Sequence, residues 1–172
     1  MTKKAKHEKD GHQDGIGIVG MFRVQIDDNG KIVGKTDWKK NRITNEGVRK
    51  FLVSNLGSIS GSSSIGWVAL GTGTLAGNAD TSLNGELAET NGRATVSAST
   101  GAGSSQVQFF ATFSSANSFI TASTGRNIAN IGLFAGSTQN AGTLFAGNTY
   151  ASSNVATNQN VNITYNINFS TT

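Results

Sequence analysis

No cysteine occurs among the 172 residues, so disulfides, thiolate metal sites and thiol catalysis are excluded together, while the redox compartment is left open. Hydrophobic residues are sparse at 36%, and no run of 18 apolar residues is present to span a membrane. Residues 1 to 15 carry Lys3, Lys4, Lys6 and Lys9 with no apolar core behind them, which is not the layout of a secretory signal. Histidine is absent after His12. Charge is scarce over most of the chain: 12 of the 14 Lys and Arg fall within residues 1–50, and from Ala94 onward the only charged side chain is Arg126. A surface kept soluble by amides and hydroxyls rather than charge suits a protein packed in many copies, where like-charged neighbours would repel. No residue set resembles an active site, and the expectation is a non-enzymatic protein without cofactor or metal.

What is present is β patterning. Val161, Ile163, Tyr165, Ile167 and Phe169 alternate with Asn160, Asn162, Thr164, Asn166 and Asn168, five bulky β-formers against five small polar residues. A half-buried antiparallel strand satisfies that alternation, whereas a helix would spread it around its circumference. Residues 16–26 show the same period through Ile18, Gly20, Phe22, Val24 and Ile26, and Asp27-Asp28-Asn29-Gly30 is a turn leading back into Lys31 to Gly34. Further strands are expected at 67–70, 94–99, 106–114, 127–135 and 142–150, with a hairpin loop at 101–104. About eight strands, frequent turn signals, 22 glycines and no alternating helices give the expected fold. It is mainly β: an antiparallel β-sandwich, jelly-roll-like, residues 16–172 as a single domain behind an N-terminal arm of residues 1–15.

One short α-helix is expected near residues 45–56. Thr44 caps it, Glu46 sits in its positive first turn, Ile43 staples onto Val48, and Gly57 stops it. Val48, Phe51, Leu52 and Leu56 recur at helical spacing, and that face is expected to cover one end of the core.

Two look-alikes are set aside. Gly30 to Thr36 ends in Gly-Lys-Thr, but three residues separate Gly30 from Gly34 where a phosphate loop has four. The Asp-Asp-Asn-Gly turn lacks the alternating ligands and closing glutamate of a calcium loop. Asp80, Glu86 and Glu89 are the only acids of the body from which a glycosidase pair would be drawn. The reading preferred is loop-surface acids, with Glu86 or Glu89 pairing with Arg93 or Arg126. The arm carries Glu8, Asp10 and Asp14 among its lysines, so nucleic-acid binding is not expected of it.

Three segments together resemble a pattern of small β-sandwich virion proteins of tailed bacteriophages. They are Asn41 to Gly47; Trp67 to Thr74 with Asp80, Leu83, Glu86, Leu87 and Arg93 after it; and Ile131 to Phe134, Gly142 to Ala146 and the closing Val161 to Phe169. The chain departs from that pattern in having no proline after Thr74 and in carrying Asn130, not an acid, before Ile131. The resemblance implies a virion component assembled in the host cytoplasm. Within that class the leading expectation is a capsid decoration or cement protein that docks on the capsid exterior as a homo-oligomer, a trimer by analogy. Its partners would be the major capsid protein or other virion proteins. The alternative is a tail- or head-fibre-associated protein that binds a host receptor or glycan through loops 58–64 and 101–105 with Trp38, Trp67 or Tyr150. The candidate docking residues are Lys3, Lys4, Lys6 and Lys9 of the arm and Met21, Phe22 and Arg23 of the first strand.

Overall fold

The computed structural model describes residues 15–87, 92–101, 103–117, 120–121 and 124–171. In chain order the strands are β1 (Ile16–Asp28), β2 (Lys31–Lys35), β3 (Lys39–Lys40) and β4 (Arg42–Ile43), then β5 (Trp67–Gly71), β6 (Arg93–Thr95) and β7 (Ser97–Ser99). β8 (Gln106–Phe113), β9 (Arg126–Phe134), β10 (Leu144–Val155) and β11 (Asn160–Thr171) complete them. They form two antiparallel sheets. The first runs β2-β1-β11-β8-β7 with β3 also on β1, and the second runs β4-β10-β9-β5-β6. The pairs β1·β11, β4·β10, β5·β9 and β7·β8 are nested one inside another, the arrangement of a long hairpin rolled over on itself. The expected sandwich is present. The expected strand at 94–99 is split at Val96, where the chain leaves the second sheet (β6 on β5) and joins the first (β7 on β8), closing one side of the sandwich.

The terminal strand is the axis of the first sheet, with β1 on one side and β8 on the other. Its bulky positions point inward as the alternation requires: Val161, Ile163, Tyr165 and Ile167 are buried beside Phe22, Val24 and Ile26 of β1 and Phe109, Ala111 and Phe113 of β8. Val68 and Leu70 of β5, Ile131 and Leu133 of β9 and Ala146 of β10 meet them from the second sheet. Each large side chain buried this way contributes roughly 1.5–3 kcal/mol. Many outward positions of β11 and β8 are amides and hydroxyls bonded across strands, with Phe110 exposed among them. Gln108 Nε2 donates to Asn166 Oδ1 at 2.8 Å, Gln106 Nε2 to Asn168 Oδ1 at 2.6 Å, and Thr112 Oγ1 to Asn162 Oδ1 at 2.8 Å.

Residues 45–56 are helical, but the middle is not α. A three-residue α turn α1 (Asn45–Gly47) runs into a π-helical stretch (Val48–Val53) and a last α turn α2 (Ser54–Leu56). The predicted cap is present: Gly47 N donates to Thr44 Oγ1 at 2.9 Å, and Thr44 Oγ1 itself donates to the Leu144 carbonyl at 2.6 Å, tying the helix start to β10. Gly47 has to be glycine, because a Cβ there would run into the Phe145 carbonyl. The π stretch follows from side chains that bond back into the ladder. Ser54 N and Oγ both reach Arg49 O, five residues back, and Asn55 Nδ2 donates to Phe51 O at 2.8 Å.

Candidate interaction surfaces

The acidic loop resolves first. Arg93 Nε donates to Glu86 Oε1 at 2.6 Å and Nη2 to Oε2 at 2.9 Å, with both side chains fully buried. Arg93 also donates to the carbonyls of Gly136 (2.6 Å) and Ala141 (2.9 Å), and its guanidinium carbon lies 3.6 Å from the Phe134 ring centroid. Asn140 N donates to Glu86 Oε2 at 3.0 Å, so both carboxylate oxygens are occupied. The pairing of Glu86 with Arg93 is thus present, as a clamp that fastens two loops to the second sheet. The surface-acid reading fails for Glu86, because the loop folds over β5 and β9 and takes the carboxylate inside. Asp80 Oδ2 accepts from Gly77 N at 2.7 Å in an exposed turn, and Glu89 lies outside the described residues. Among the described residues no three His, Cys, Asp or Glu stand close enough to hold a metal ion.

Asn130, the departure from the family pattern, is also structural. It is fully buried, and its Nδ2 donates to the Asn84 carbonyl at 2.7 Å and the Thr74 carbonyl at 3.3 Å. An acid would set a carboxylate against two carbonyl oxygens, whereas the amide donates to both. The same bonds pull the Gly71-Thr72-Gly73-Thr74 segment against residues 84 and 85, so close that a Cβ on Gly73 would run into the Asn84 carbonyl.

The largest departure from expectation is the helical segment. Of its apolar residues only Phe51 is buried, edge-on to Phe145 at 5.2 Å between ring centroids. Leu52 is half-buried, Val48 and Val53 are exposed, and Leu56 is 87% exposed. The π stretch widens the turn, so residues spaced for an α-helical stripe no longer share the core-facing side. The expected Ile43–Val48 staple leaves Val48 41% exposed for the same reason. These residues join Ile16 (73% exposed), Ile18 and Phe169 around an apolar groove of about 550 Å³. A second apolar recess of about 310 Å³ adjoins it, lined by Phe51, Leu52, Ile65, Val107, Ile167 and Phe169 among others. One pole of the sandwich therefore presents a continuous hydrophobic face. Its charged neighbours Glu46 and Arg49 are closed on each other at 2.8 Å.

The other candidate surface is the outer side of β1. Phe22 is in the core, 0% exposed and packed on Tyr165 (5.5 Å) and Tyr150 (6.1 Å), so it is corrected from a docking residue to a core residue: the strand's period of two turns it inward. Met21 and Arg23 point outward. Lys3, Lys4, Lys6 and Lys9 lie outside the described residues. Beside Arg23 is Trp38, 39% exposed, with the guanidinium carbon 5.1 Å from its ring centroid. Of the other aromatic residues considered for a glycan, Tyr150 is buried and Trp67 packs on the small core of Ala69, Ala76, Leu83, Phe134 and Leu144. The loop at 58–64 is pinned to the helical segment, with Ser63 N on Lys50 O and Asn55 Nδ2 on Ser63 O.

No protein-family model matches the chain, and the searches of curated proteins and of solved structures returned no match. Among the described residues no helix is long and apolar enough to cross a membrane. The sequence had no signal for the outward turn of Val53 and Leu56, which arises from the π stretch. Trp38 was named only as a candidate glycan contact, and its place beside Arg23 had no signal in the sequence.

Proposed function

We propose that this chain is a non-enzymatic structural subunit that self-associates through its apolar pole and is laid down in many copies on a larger particle. The hydrophobic face formed by Ile16, Val48, Val53, Leu56 and Phe169 carries this reading. Contiguous apolar surface of that kind is uncommon on a monomer and marks an interface. A second copy is the fitting occupant, because Glu46 and Arg49 beside the pole neutralise each other and Lys50 turns its Nζ to the Gly61 carbonyl, which leaves the facing surface itself apolar. Within this reading, the resemblance to tailed-phage virion proteins favours a capsid decoration protein. Many copies, each adding buried area across capsomer boundaries, would resist the pressure of packaged DNA.

Sedimentation of the purified chain tests the self-association. Leu56→Asp, at a position that contributes almost nothing to the core, leaves the fold intact and shifts the oligomer to monomer; an unchanged oligomer excludes the pole as the interface. Quantitative mass spectrometry of purified phage particles carrying the protein tests the decoration role. Hundreds of copies per particle are expected, a few dozen would move the protein to the tail or fibres, and absence from the particle would overturn the virion assignment.

A further inference from the structure

We propose that the outer corner of the first sheet, where β1 meets β2 and β3, is a docking surface for a carboxylate-bearing protein partner. It rests on the assembly reading above and names the chemistry of the particle surface that this subunit would meet.

Three cations define the outward face of the corner, with a fourth, Lys39, at its edge. Arg23 points outward from β1, Lys35 pairs with Gln25, and Lys39 and Lys40 pair with Phe22 and Met21. The span from residue 21 to residue 25 of a strand is about 13 Å, so Arg23, Lys35 and Lys40 share one face over a short stretch, while Lys39, paired with the inward Phe22, stands at the edge on the other side. The side chains make no ion pair among the described residues. Asp37 is the one acid in the same segment, which leaves the corner with a net positive charge. The rest of the outer face of the first sheet is almost uncharged apart from Asp27, Asp28 and Lys31 at the β1–β2 turn, so the field is offset only at that end.

Lysines on an edge strand have a plain explanation, since they discourage pairing with another sheet, and Lys35, Lys39 and Lys40 serve that end. Arg23 does not. It stands on a strand flanked on both sides, its Nε is buried without a hydrogen-bond partner, and its guanidinium is set against the exposed Trp38 ring. An arginine held at an aromatic ring is positioned to bind a planar anion. A carboxylate fits better than a nucleic-acid backbone. Asp27 lies on the same outward face two residues beyond Gln25, and Asp28 follows it. A continuous line of phosphates would have to run past these acids or past Asp37, whereas discrete carboxylates need meet only Arg23, Lys35 and Lys40.

The experiment uses the full chain with two probes, fluorescently labelled poly-L-glutamate and a labelled DNA duplex, read by anisotropy at low and at physiological salt. The expected result is polyglutamate binding at least tenfold tighter than duplex binding and weakened by salt. The Lys35→Gln/Lys39→Gln/Lys40→Gln variant and, separately, Arg23→Gln each weaken it tenfold or more, with urea midpoints unchanged. Duplex binding equal to or tighter than polyglutamate binding would overturn the assignment in favour of a nucleic acid. Unchanged polyglutamate affinity in both variants would overturn it in favour of the arm lysines. The pole is read separately: Leu56→Asp is expected to leave polyglutamate affinity per chain within twofold, so loss of the self-association reading and loss of the docking corner give different results.

Discussion

The two sheets share one antiparallel construction and treat their outer faces in opposite ways. In the second sheet β5, the C-terminal half of β9 and the first residues of β10 are buried on both sides, with Phe134, Leu144 and Ala69 covered from outside by the loop that carries Ala76 and Leu83. In the first sheet the inner face is as apolar, but the outer face is the row of Asn166, Asn168 and Asn162 bonded to Gln108, Gln106 and Thr112. Burial on two sides requires the polar groups between loop and sheet to be paired inside the protein, which Glu86, Arg93 and the Asn130 Nδ2 accomplish, with the buried Asn130 Oδ1 left without a hydrogen-bond partner among the described residues. Burial on one side leaves the other face free to be specified by what it meets. The first sheet accordingly carries both the cationic corner and, through Ile16 and Phe169, part of the apolar pole.

The clamp is the place to break this contrast with the largest effect. Glu86→Gln leaves the buried Arg93 guanidinium facing an uncharged amide, and removing one partner of a buried pair costs about 3–5 kcal/mol. Urea unfolding should show that loss as a lower midpoint. The double change Glu86→Leu/Arg93→Met should be less damaging than the single one, because neither charge is then left buried alone. If Glu86→Gln and the double change both cost under about 1 kcal/mol, the loop over the second sheet is not held by this pair.

How far each sheet could be read in advance follows from the same contrast. β11 and β1 were legible as alternating strands, because burial on one face writes an alternation into the sequence, although Phe22, on the inward phase of that alternation, was also named for docking. β9 was legible only as a strand: Asn130, Ile131, Gly132, Leu133 and Phe134 are all buried, and a run without alternation does not say which neighbour covers which side. The Glu86–Arg93 pairing could be named as one of several, but its burial depends on the carbonyls of Gly136 and Ala141, more than forty residues on. In the helical segment the Thr44 cap was readable because it is local. The π stretch was not, since it depends on Ser54 and Asn55 turning back to the backbone, and with it the exposure of Leu56 was hidden.

Between the sheets two phenols give a smaller effect that depends on pH. Tyr165 of β11 and Tyr150 of β10 both pack on Phe22, and neither hydroxyl has a hydrogen-bond partner among the described residues. Burial pushes the Tyr150 phenol well above its ordinary value; burial, and then the neighbouring Tyr150, do the same to Tyr165. A folded-state value raised above the unfolded one means the folded chain keeps its proton where the unfolded chain has lost it. Stability is therefore full below about pH 10, the ordinary tyrosine value, and falls as pH rises above it. The urea midpoint should decline above that pH in the native chain and decline less in Tyr165→Phe. At neutral pH Tyr165→Phe should match the native chain or exceed it by about 1 kcal/mol, because it removes a buried hydroxyl with no partner among the described residues.

The outer amides of the first sheet should give the smallest effect. Asn166 and Gln108 are half-buried and bonded at 2.8 Å across β11 and β8, and each also has water within reach when its partner is removed. A net contribution of about 0.5–1 kcal/mol is the expected size for the bond. Asn166→Ala and Gln108→Ala should each lower stability by no more than that, and the double change should cost about as much as either alone, since the second removes a bond already lost. Replacing both by threonine, a good strand former, should recover most of the loss. A cost of about 3 kcal/mol or more for either single change, well beyond one hydrogen bond, would mean that the outer face of the first sheet is built into the fold as firmly as that of the second. A small cost means that the amide row is free to be set by an external surface, and a loss of assembly on particles in the Asn166→Thr/Gln108→Thr variant would then locate that surface on this face.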